Sequence, residues 1–218
     1  TNSPHLFKEL VEYGLDPVGD SDTQVVLEKI GYYLDREHEQ LAATMGPGSF
    51  QGLEGRTLAE AISNQLDLVR VLRNAADRFD GGYVFASLVG NGDLLICRDP
   101  AGIRPAFIYR DEAVVAAASE RAALVTAFNV EPDQIEELPA AHALEVKRNG
   151  DIRIAPFTEP LPLKRCTFER VYFSRGNDRD IYQERKRLGA NLAERVLQRI
   201  DWDIEHTVFG FIPNTAET

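Results

Sequence analysis

The segment between residues 83 and 155 limits the possible folds more than any other part of the chain, because short apolar runs alternate there with turn residues. Asn91-Gly92 and Asn149-Gly150 each stand between two such runs, and Asn-Gly favours the tight turn that joins antiparallel strands. Three hairpins are predicted: 83–89 with 94–97, 105–109 with 113–118, and 142–147 with 152–155. The runs are apolar almost continuously, which indicates strands covered on both faces and hence an α+β core.

Helical patterns precede these strands. Ser3 and Pro4 are predicted to start a first helix that ends at Gly14. Ser21 and Gln24 have the spacing of a capping box and start a second helix. After a Gly-rich loop at 46–52, a single third helix is predicted from Thr57, with Ala61, Ile62, Leu66, Val69 and Leu72 on its buried face.

The pattern changes again after Pro156, Pro160 and Pro162, which read as a linker. A strand at 168–173, a helix carrying Ile181 to Val196 and a strand at 207–212 are then predicted. Strand, helix and strand in this order are typical of the start of an α/β domain, although one such unit cannot bury both faces of a sheet.

The charge balance narrows the range of partners. Lys and Arg number 24 against 35 Asp and Glu, a net charge of −11 with a pI near 4.9. An acidic chain of this kind is not expected to bind nucleic acid or an anionic membrane surface. No apolar stretch approaches the roughly 20 residues of a membrane span. Two cysteines, Cys97 and Cys166, form no disulfide framework, so a cytoplasmic setting is expected.

Asp22 is the first candidate for a binding role, next to Ser21 at the predicted start of the second helix. A carboxylate in a first helical turn interacts favourably with the helix dipole and with free N–H groups. One interpretation is that it only helps to start the helix. The other is that it lies at the mouth of a cleft, free of any lysine or arginine, and binds a substrate ammonium group.

The string Arg98-Asp99-Pro100-Ala101-Gly102-Ile103-Arg104-Pro105 is the most specific in the chain. Its prolines and glycine indicate a rigid turn whose arginine and aspartate bind backbone groups, an architectural role. Ser119-Glu120 is interpreted as a helix cap after a strand. The scattered histidines have neither metal-ligand nor triad spacing, and no phosphate-binding glycine loop is present. Thr1 as an N-terminal nucleophile is disfavoured, because it directly precedes a helix start.

Taken in order, these motifs resemble the amidophosphoribosyltransferase family. Ser21 to Gln24 is similar to its Ser-Asp-Ser/Thr-Glu motif, and Arg98 to Pro105 to its Arg-Asp-Pro-x-Gly-Ile-Arg-Pro signature. Ala118-Ser119-Glu120 fits its Ala-Ser-Glu, and Cys166 to Arg175 resembles the stretch that joins its two domains. Three positions differ from the family pattern. Gln24 stands where the family has an acidic residue, and the turns at Pro139 to His142 and Gly176 to Asp178 differ from the usual turn sequences.

The resemblance implies a glutamine-dependent enzyme of purine biosynthesis with two domains. Residues 1–160 would be the later part of an αββα N-terminal-nucleophile glutaminase domain. Residues 161–218 would be the first βαβ unit of a type I phosphoribosyltransferase domain. Glutamine is split through a cysteine thioester, and the ammonia reacts with phosphoribosyl pyrophosphate, accompanied by magnesium. A homo-oligomer is expected.

Site residues follow from the same resemblance. Asp22, with Ser21, matches the substrate-binding motif that holds the α-amino group of glutamine, whereas Arg98, Asp99, Gly102, Arg104, Ser119 and Glu120 belong to structural motifs. Cys166 matches a cysteine that binds an iron–sulfur cluster in some members. The nucleophilic cysteine would precede Thr1 and the phosphoribosyl pyrophosphate loop would follow Thr218. The chain is therefore expected to be an internal fragment with neither activity by itself.

Two alternatives stay open at this point. An asparagine synthetase-like amidotransferase shares a similar Ser-Asp-Thr-Glu motif and an Arg-Asp-x-x-Gly turn, although the stretch Val171 to Arg175 counts against it. The other alternative is a non-catalytic relative that kept the fold and lost the nucleophile. The sequence on either side of the chain would separate the three hypotheses.

Overall fold

The structure is a computed structural model that describes residues 2–19, 21–44, 53–213 and 216. The Gly-rich loop at 46–52 lies outside these ranges. The helices are α1 (Ser3–Glu12), α2 (Asp22–Thr44), α3 (Gly55–Gln65), α4 (Leu68–Ala75), α5 (Arg121–Phe128) and α6 (Arg179–Arg199). The strands are β1 (Val84–Leu88), β2 (Leu94–Arg98), β3 (Phe107–Arg110), β4 (Val115–Ala118), β5 (Glu136–Glu137), β6 (His142–Val146) and β7 (Ile152–Pro156).

Two compact units divide the chain. The first contains Thr1–Ile103 and Leu138–Lys164, and the second contains Arg104–Glu137 and Arg165–Thr218. Each unit therefore draws on two separate stretches of sequence. Within the described ranges, we find no helix that has both the length and the apolar character to cross a bilayer.

The first unit is built on a four-stranded antiparallel sheet in the order β1-β2-β6-β7. The hairpins predicted around Asn91-Gly92 and Asn149-Gly150 are both confirmed, and each glycine has a φ of 96°. Such a positive φ is accessible to glycine without steric cost, which explains its place in both turns. Because β2 pairs with β6, the two hairpins form one continuous sheet.

Helices cover this sheet through an apolar core. Leu68, Val69 and Leu72 of α4 pack against Leu95, Cys97 and Ala143 of the sheet and against Phe157. A smaller cluster of Leu6, Leu10 and Val25 joins α1 to α2. Fully burying side chains of this size contributes about 1.5–3 kcal/mol each to folding.

The second unit contains a three-stranded sheet in the order β4-β3-β5. The predicted hairpin across Arg110 to Glu112 is confirmed as the β3–β4 pair. Tyr109, Leu124 and Ile135 form the buried centre of this unit, with α5 packed on the sheet. The mixed helix and sheet character predicted for the chain is thus confirmed in both units.

Several helix boundaries differ from the prediction. Helix α1 includes Ser3, and Asn2 precedes it without a side-chain capping bond. The predicted third helix is two helices, α3 and α4, since the carboxylate of Asp67 accepts a hydrogen bond from the amide of Arg70 and starts a new helix there. Residues Ala61 and Ile62 of α3 are only partly buried.

The two strands predicted near the C-terminus are wrong. Residues Glu169–Phe173 form a π-helical turn instead of a strand. Residues 207–212 belong to no strand in the described part of the chain, and Val208 and Ile212 are 96% and 80% exposed. The helix between them is confirmed as α6, but Ile181 is its buried residue, and Leu188 and Leu192 are exposed. A strand needs a hydrogen-bonded neighbour, and none of the described strands pairs with these segments.

Candidate functional site

The start of α2 brings Ser21 and Asp22 together as predicted. The hydroxyl of Ser21 accepts a hydrogen bond from the amide of Gln24 at 3.2 Å, which is half of the predicted capping box. The side chain of Gln24 does not return the bond, because its amide donates to Glu28 at 2.7 Å. Ser21 therefore caps the helix, and Asp22 is its first residue.

Asp22 is an exposed carboxylate. It accepts a hydrogen bond from the amide of Thr23 at 2.8 Å and forms no ion pair with any lysine or arginine of the described residues. Asp22 faces the surface and does not line the cavity described below. Its role as a ligand for an ammonium group stays a prediction.

Asp99 anchors the Arg98–Pro105 turn from a fully buried position. Its carboxylate accepts hydrogen bonds from the amides of Ala101 at 3.1 Å and Ile103 at 2.9 Å. Its own amide donates to the carbonyl of Tyr83, and its carbonyl accepts from the amide of Ala141. One residue thus ties the turn to Tyr83, just before β1, and to Ala141, just before β6. This is the architectural role that the sequence predicted.

Arg98 and Gly102 complete this turn within the first unit. The guanidinium of Arg98 is buried and donates to the carbonyls of Leu138 at 2.7 Å and Gly102 at 3.2 Å. Gly102 has a φ of 59°, and a Cβ there would lie 3.0 Å from Leu163 and 3.3 Å from Arg98. Glycine is required both by the backbone conformation and by the space.

Arg104 belongs to the second unit, where it holds the π-helical turn. Its Nη1 lies 2.9 Å from the carboxylate of Glu169, and its guanidinium lies 5.4 Å from the ring centroid of Phe173. The last arginine of the motif is therefore also structural. Ser119 is exposed, and Glu120 stands at the N-cap position of α5 without a capping bond from its side chain. Glu120 instead lies 3.7 Å from Arg175.

The two cysteines are free thiols. Cys97 is buried in the core of the sheet, and burial raises the pKa of its thiol to about 12. A thiol with so little thiolate is a poor nucleophile. Cys166 is partly exposed, and the described residues contain no group of three or more His, Cys, Asp or Glu side chains that could hold a metal. These residues do not by themselves supply the four ligands of an iron–sulfur cluster.

A cavity of about 520 Å³ lies in the first unit and was not predicted. Phe79, Pro100 and Phe157 are among its lining residues, so it adjoins the Arg98–Pro105 turn. Two arginines and two acids also line it: Arg73, Asp77, Arg78 and Glu159. Sequence reasoning missed these residues because no motif marks them, and 73–79 and 156–159 are far apart in the chain.

Lys29 supports one wall of this cavity. Its ammonium is fully buried, lies 3.1 Å from Glu9 and donates to the carbonyl of Asp77 at 2.7 Å. It also lies 5.6 Å from the ring centroid of Phe79. A buried ammonium is tolerated only when it is paired and hydrogen-bonded in this way. Lys29 therefore fixes the turn after α4 against α1 and α2.

Comparison with known proteins shows which proteins this chain is similar to. No family model matches the chain. It is 29% identical over 168 residues to an amidophosphoribosyltransferase of Schizosaccharomyces pombe, which covers 69% of the chain and 31% of that protein. It is 29% identical over 184 residues to an amidophosphoribosyltransferase of Methanocaldococcus jannaschii, covering 76% of the chain and 38% of that protein. The chain thus spans about a third of the length of these relatives.

A solved structure shares the fold. It is a glutamine phosphoribosylpyrophosphate amidotransferase from B. subtilis complexed with ADP and GMP, with a TM-score of 0.58 and 23% identity. The match covers 88% of this chain and 36% of that one. The resemblance predicted from the ordered motifs is confirmed: the chain is similar, over most of its length, to part of the amidophosphoribosyltransferases.

Proposed function

We propose that this chain is part of an amidophosphoribosyltransferase. The whole enzyme would hydrolyse glutamine and pass the ammonia to phosphoribosyl pyrophosphate, forming 5-phosphoribosylamine in purine biosynthesis. The observation that carries the proposal is the similarity to enzymes of that name over 69% and 76% of the chain. The Arg98–Pro105 turn supports it, since Arg98 and Asp99 of that string hold the fold through hydrogen bonds with backbone groups.

The proposed division assigns residues 1–160 to the later part of an αββα glutaminase domain and residues 161–218 to the start of a phosphoribosyltransferase domain. The antiparallel sheets and their helices support the first assignment. For the second assignment, α6 is the element present, and its exposed Leu188 and Leu192 are suited to pack against further structure.

Asp22 is the proposed ligand of the glutamine α-amino group, with Ser21 holding the start of α2. It lies in the first helical turn, at the positive end of the helix dipole. Its lack of a cationic partner within the described residues leaves it able to bind an ammonium group. The buried Cys97, with its raised thiol pKa, supports the proposal that the nucleophilic cysteine is not among residues 1–218.

The cofactors and assembly of the whole enzyme are proposals of the same kind. Magnesium would accompany phosphoribosyl pyrophosphate as part of that substrate. Cys166 could contribute to an iron–sulfur cluster only together with ligands beyond the described residues, and no step here depends on it. A cytoplasmic homo-oligomer is proposed.

The test is to read the coding sequence on both sides of this chain and to assay the encoded protein. We expect a cysteine codon directly after the initiator methionine upstream and a phosphoribosyl pyrophosphate loop downstream. The protein should convert glutamine to glutamate and release pyrophosphate from phosphoribosyl pyrophosphate. An ATP-pyrophosphatase loop downstream would instead identify an asparagine synthetase-like enzyme, and a missing cysteine would identify a non-catalytic relative.

A further inference from the structure

The cavity lined by Phe79, Pro100 and Phe157 contains charged residues that lie outside all of the motifs above. Phe157 is fully buried. The charged lining residues are two cations, Arg73 and Arg78, and two anions, Asp77 and Glu159. The volume of about 520 Å³ is within the range of small-molecule sites.

The backbone at Arg78, one of the lining residues, is strained. Arg78 has a φ of 67°, a conformation that costs a residue with a long side chain about 1–2 kcal/mol relative to glycine. Two side chains hold it there: Asn2 donates to the carbonyl of Arg78 at 2.5 Å, and the buried Lys29 donates to the carbonyl of Asp77. Strain that surrounding groups maintain in this way is typical of binding and catalytic sites.

The lining therefore combines cations, anions and apolar side chains. Arg78 lies 3.7 Å from Asp77, and Arg73 donates to the carbonyl of Pro156 at 3.1 Å, so the cations stand beside acceptors that hold them in place. Such a lining is complementary to a zwitterion that carries an apolar side chain. We propose that this cavity binds a free α-amino acid with an apolar side chain. Its carboxylate would bind Arg73 and Arg78, and its ammonium group would bind Asp77 and Glu159. Its side chain would lie on Phe79 and Phe157. This site is separate from the start of α2 and does not depend on the proposed function.

Calorimetric titration of the full chain with L-leucine tests this proposal. We expect a Kd of about 1 mM or tighter, which the small size of the ligand permits. Isoamylamine lacks the carboxylate of leucine and isocaproate lacks its amine, so each should bind about tenfold or more weakly. Equal binding of all three ligands, or no binding of leucine at 10-fold the expected Kd (about 10 mM), would overturn the proposal.

Arg78→Gly is the decisive variant, because glycine accepts the positive φ and the exposed side chain that is lost carries the guanidinium, with its 3.7 Å contact to Asp77. It should fold at least as stably as the parent chain, yet bind leucine about tenfold more weakly. Asn129→Gly is the matched control, since Asn129 also has a positive φ, 52°, and lies in the second unit. It should leave leucine affinity unchanged.

Asp22→Asn separates this inference from the proposed function. It should leave leucine binding unchanged, because Asp22 does not line the cavity. If Asp22→Asn weakens leucine binding and Arg78→Gly does not, the amino acid binds at the start of α2 and the cavity proposal is overturned. Parent-like binding by Arg78→Gly would overturn it as well, whatever the outcome for Asp22.

Discussion

The four-stranded sheet and the C-terminal stretch from 165 to 213 differ in whether their predicted strands find partners for hydrogen bonding. In the sheet, each hairpin is closed by a local Asn-Gly turn, and β2 and β6 then pair with each other. In the C-terminal stretch, the predicted strands have no neighbour to pair with among the described residues, and large apolar side chains such as Phe211 and Ile212 are exposed. Neither predicted strand is formed in the described part of this stretch.

The two regions also differ in how their buried carboxylates are bound. Asp99 and Asp93 of the first unit are each almost completely buried and accept several hydrogen bonds. In the C-terminal stretch, Asp178 binds Arg121, and this interaction lowers the pKa of Asp178 although partial burial alone would raise it. Asp93 and Asp99 of the first unit are thus fixed by several hydrogen bonds in a buried position, whereas the Arg121–Asp178 pair of the second unit keeps 17% and 11% of its side chains exposed.

The largest effect is expected for Asp99→Ala. Removal of this carboxylate leaves the amides of Ala101 and Ile103 without their partner inside the first unit. Unfolding in urea, followed by circular dichroism, should show a loss of about 3 kcal/mol. Asp111→Ala is the matched control, because Asp111 also accepts from two amides, those of Ala113 and Val114, but is exposed. A similar loss for both variants would contradict the contrast.

Asp93 is expected to make stability depend on pH. Burial alone would raise the pKa of Asp93, but hydrogen bonds from Lys147 and from the amide of Arg148 lower it overall. Its contribution is therefore complete above its ordinary pKa of about 3.9 and is lost as the pH falls through the lower folded value.

Asp93→Asn should accordingly destabilise the chain by about 2 kcal/mol at pH 7, less than a complete loss of pairing because Glu145 also lies 3.9 Å from Lys147. The difference between parent and variant should shrink as the pH falls below about 4 in urea titrations. A difference that stays constant down to pH 2 would show that the charge of Asp93 is not the cause.

Gly102→Ala should cost about 2 kcal/mol and Gly150→Ala about 1 kcal/mol. Both glycines have a positive φ, but only at Gly102 would the new Cβ meet neighbouring atoms, at 3.0 Å from Leu163. The difference in urea midpoint between the two variants measures how tightly the Arg98–Pro105 turn is packed. Equal effects would mean that Leu163 moves aside without cost.

The sequence predicted the hairpins and the structural role of Arg98–Pro105 because both depend on local turn chemistry. The prediction of one helix was wrong at residues 66–67, where Asp67 caps a new helix. The spacing of apolar residues continues across this break, so the sequence pattern does not reveal it. It failed at 168–173 because apolar content does not distinguish a strand from a π-helical turn. The cavity was not predicted, because only the tertiary structure brings Arg78 into the same lining as Phe157 and Glu159.

The smallest effect is expected for Leu188→Gln in α6. Leu188 is 50% exposed, so its replacement should change stability by less than about 0.5 kcal/mol. Ile181→Gln is the control in the same helix, since Ile181 is buried and should be several-fold more sensitive. If thermal unfolding shows a large loss of stability for Leu188→Gln, other residues of the chain already cover this face of α6.

Amide hydrogen exchange of the full chain tests the central contrast most directly. The amides of β2 and β6 are paired in the sheet, whereas we find no hydrogen bond from the amides of residues 208–211 within the described ranges. We expect β2 and β6 to exchange among the slowest in the chain and residues 208–211 to exchange within the shortest labelling time. Equal protection of the two segments would contradict the view that the sheet is ordered by its own hydrogen bonds while residues 208–211 are not.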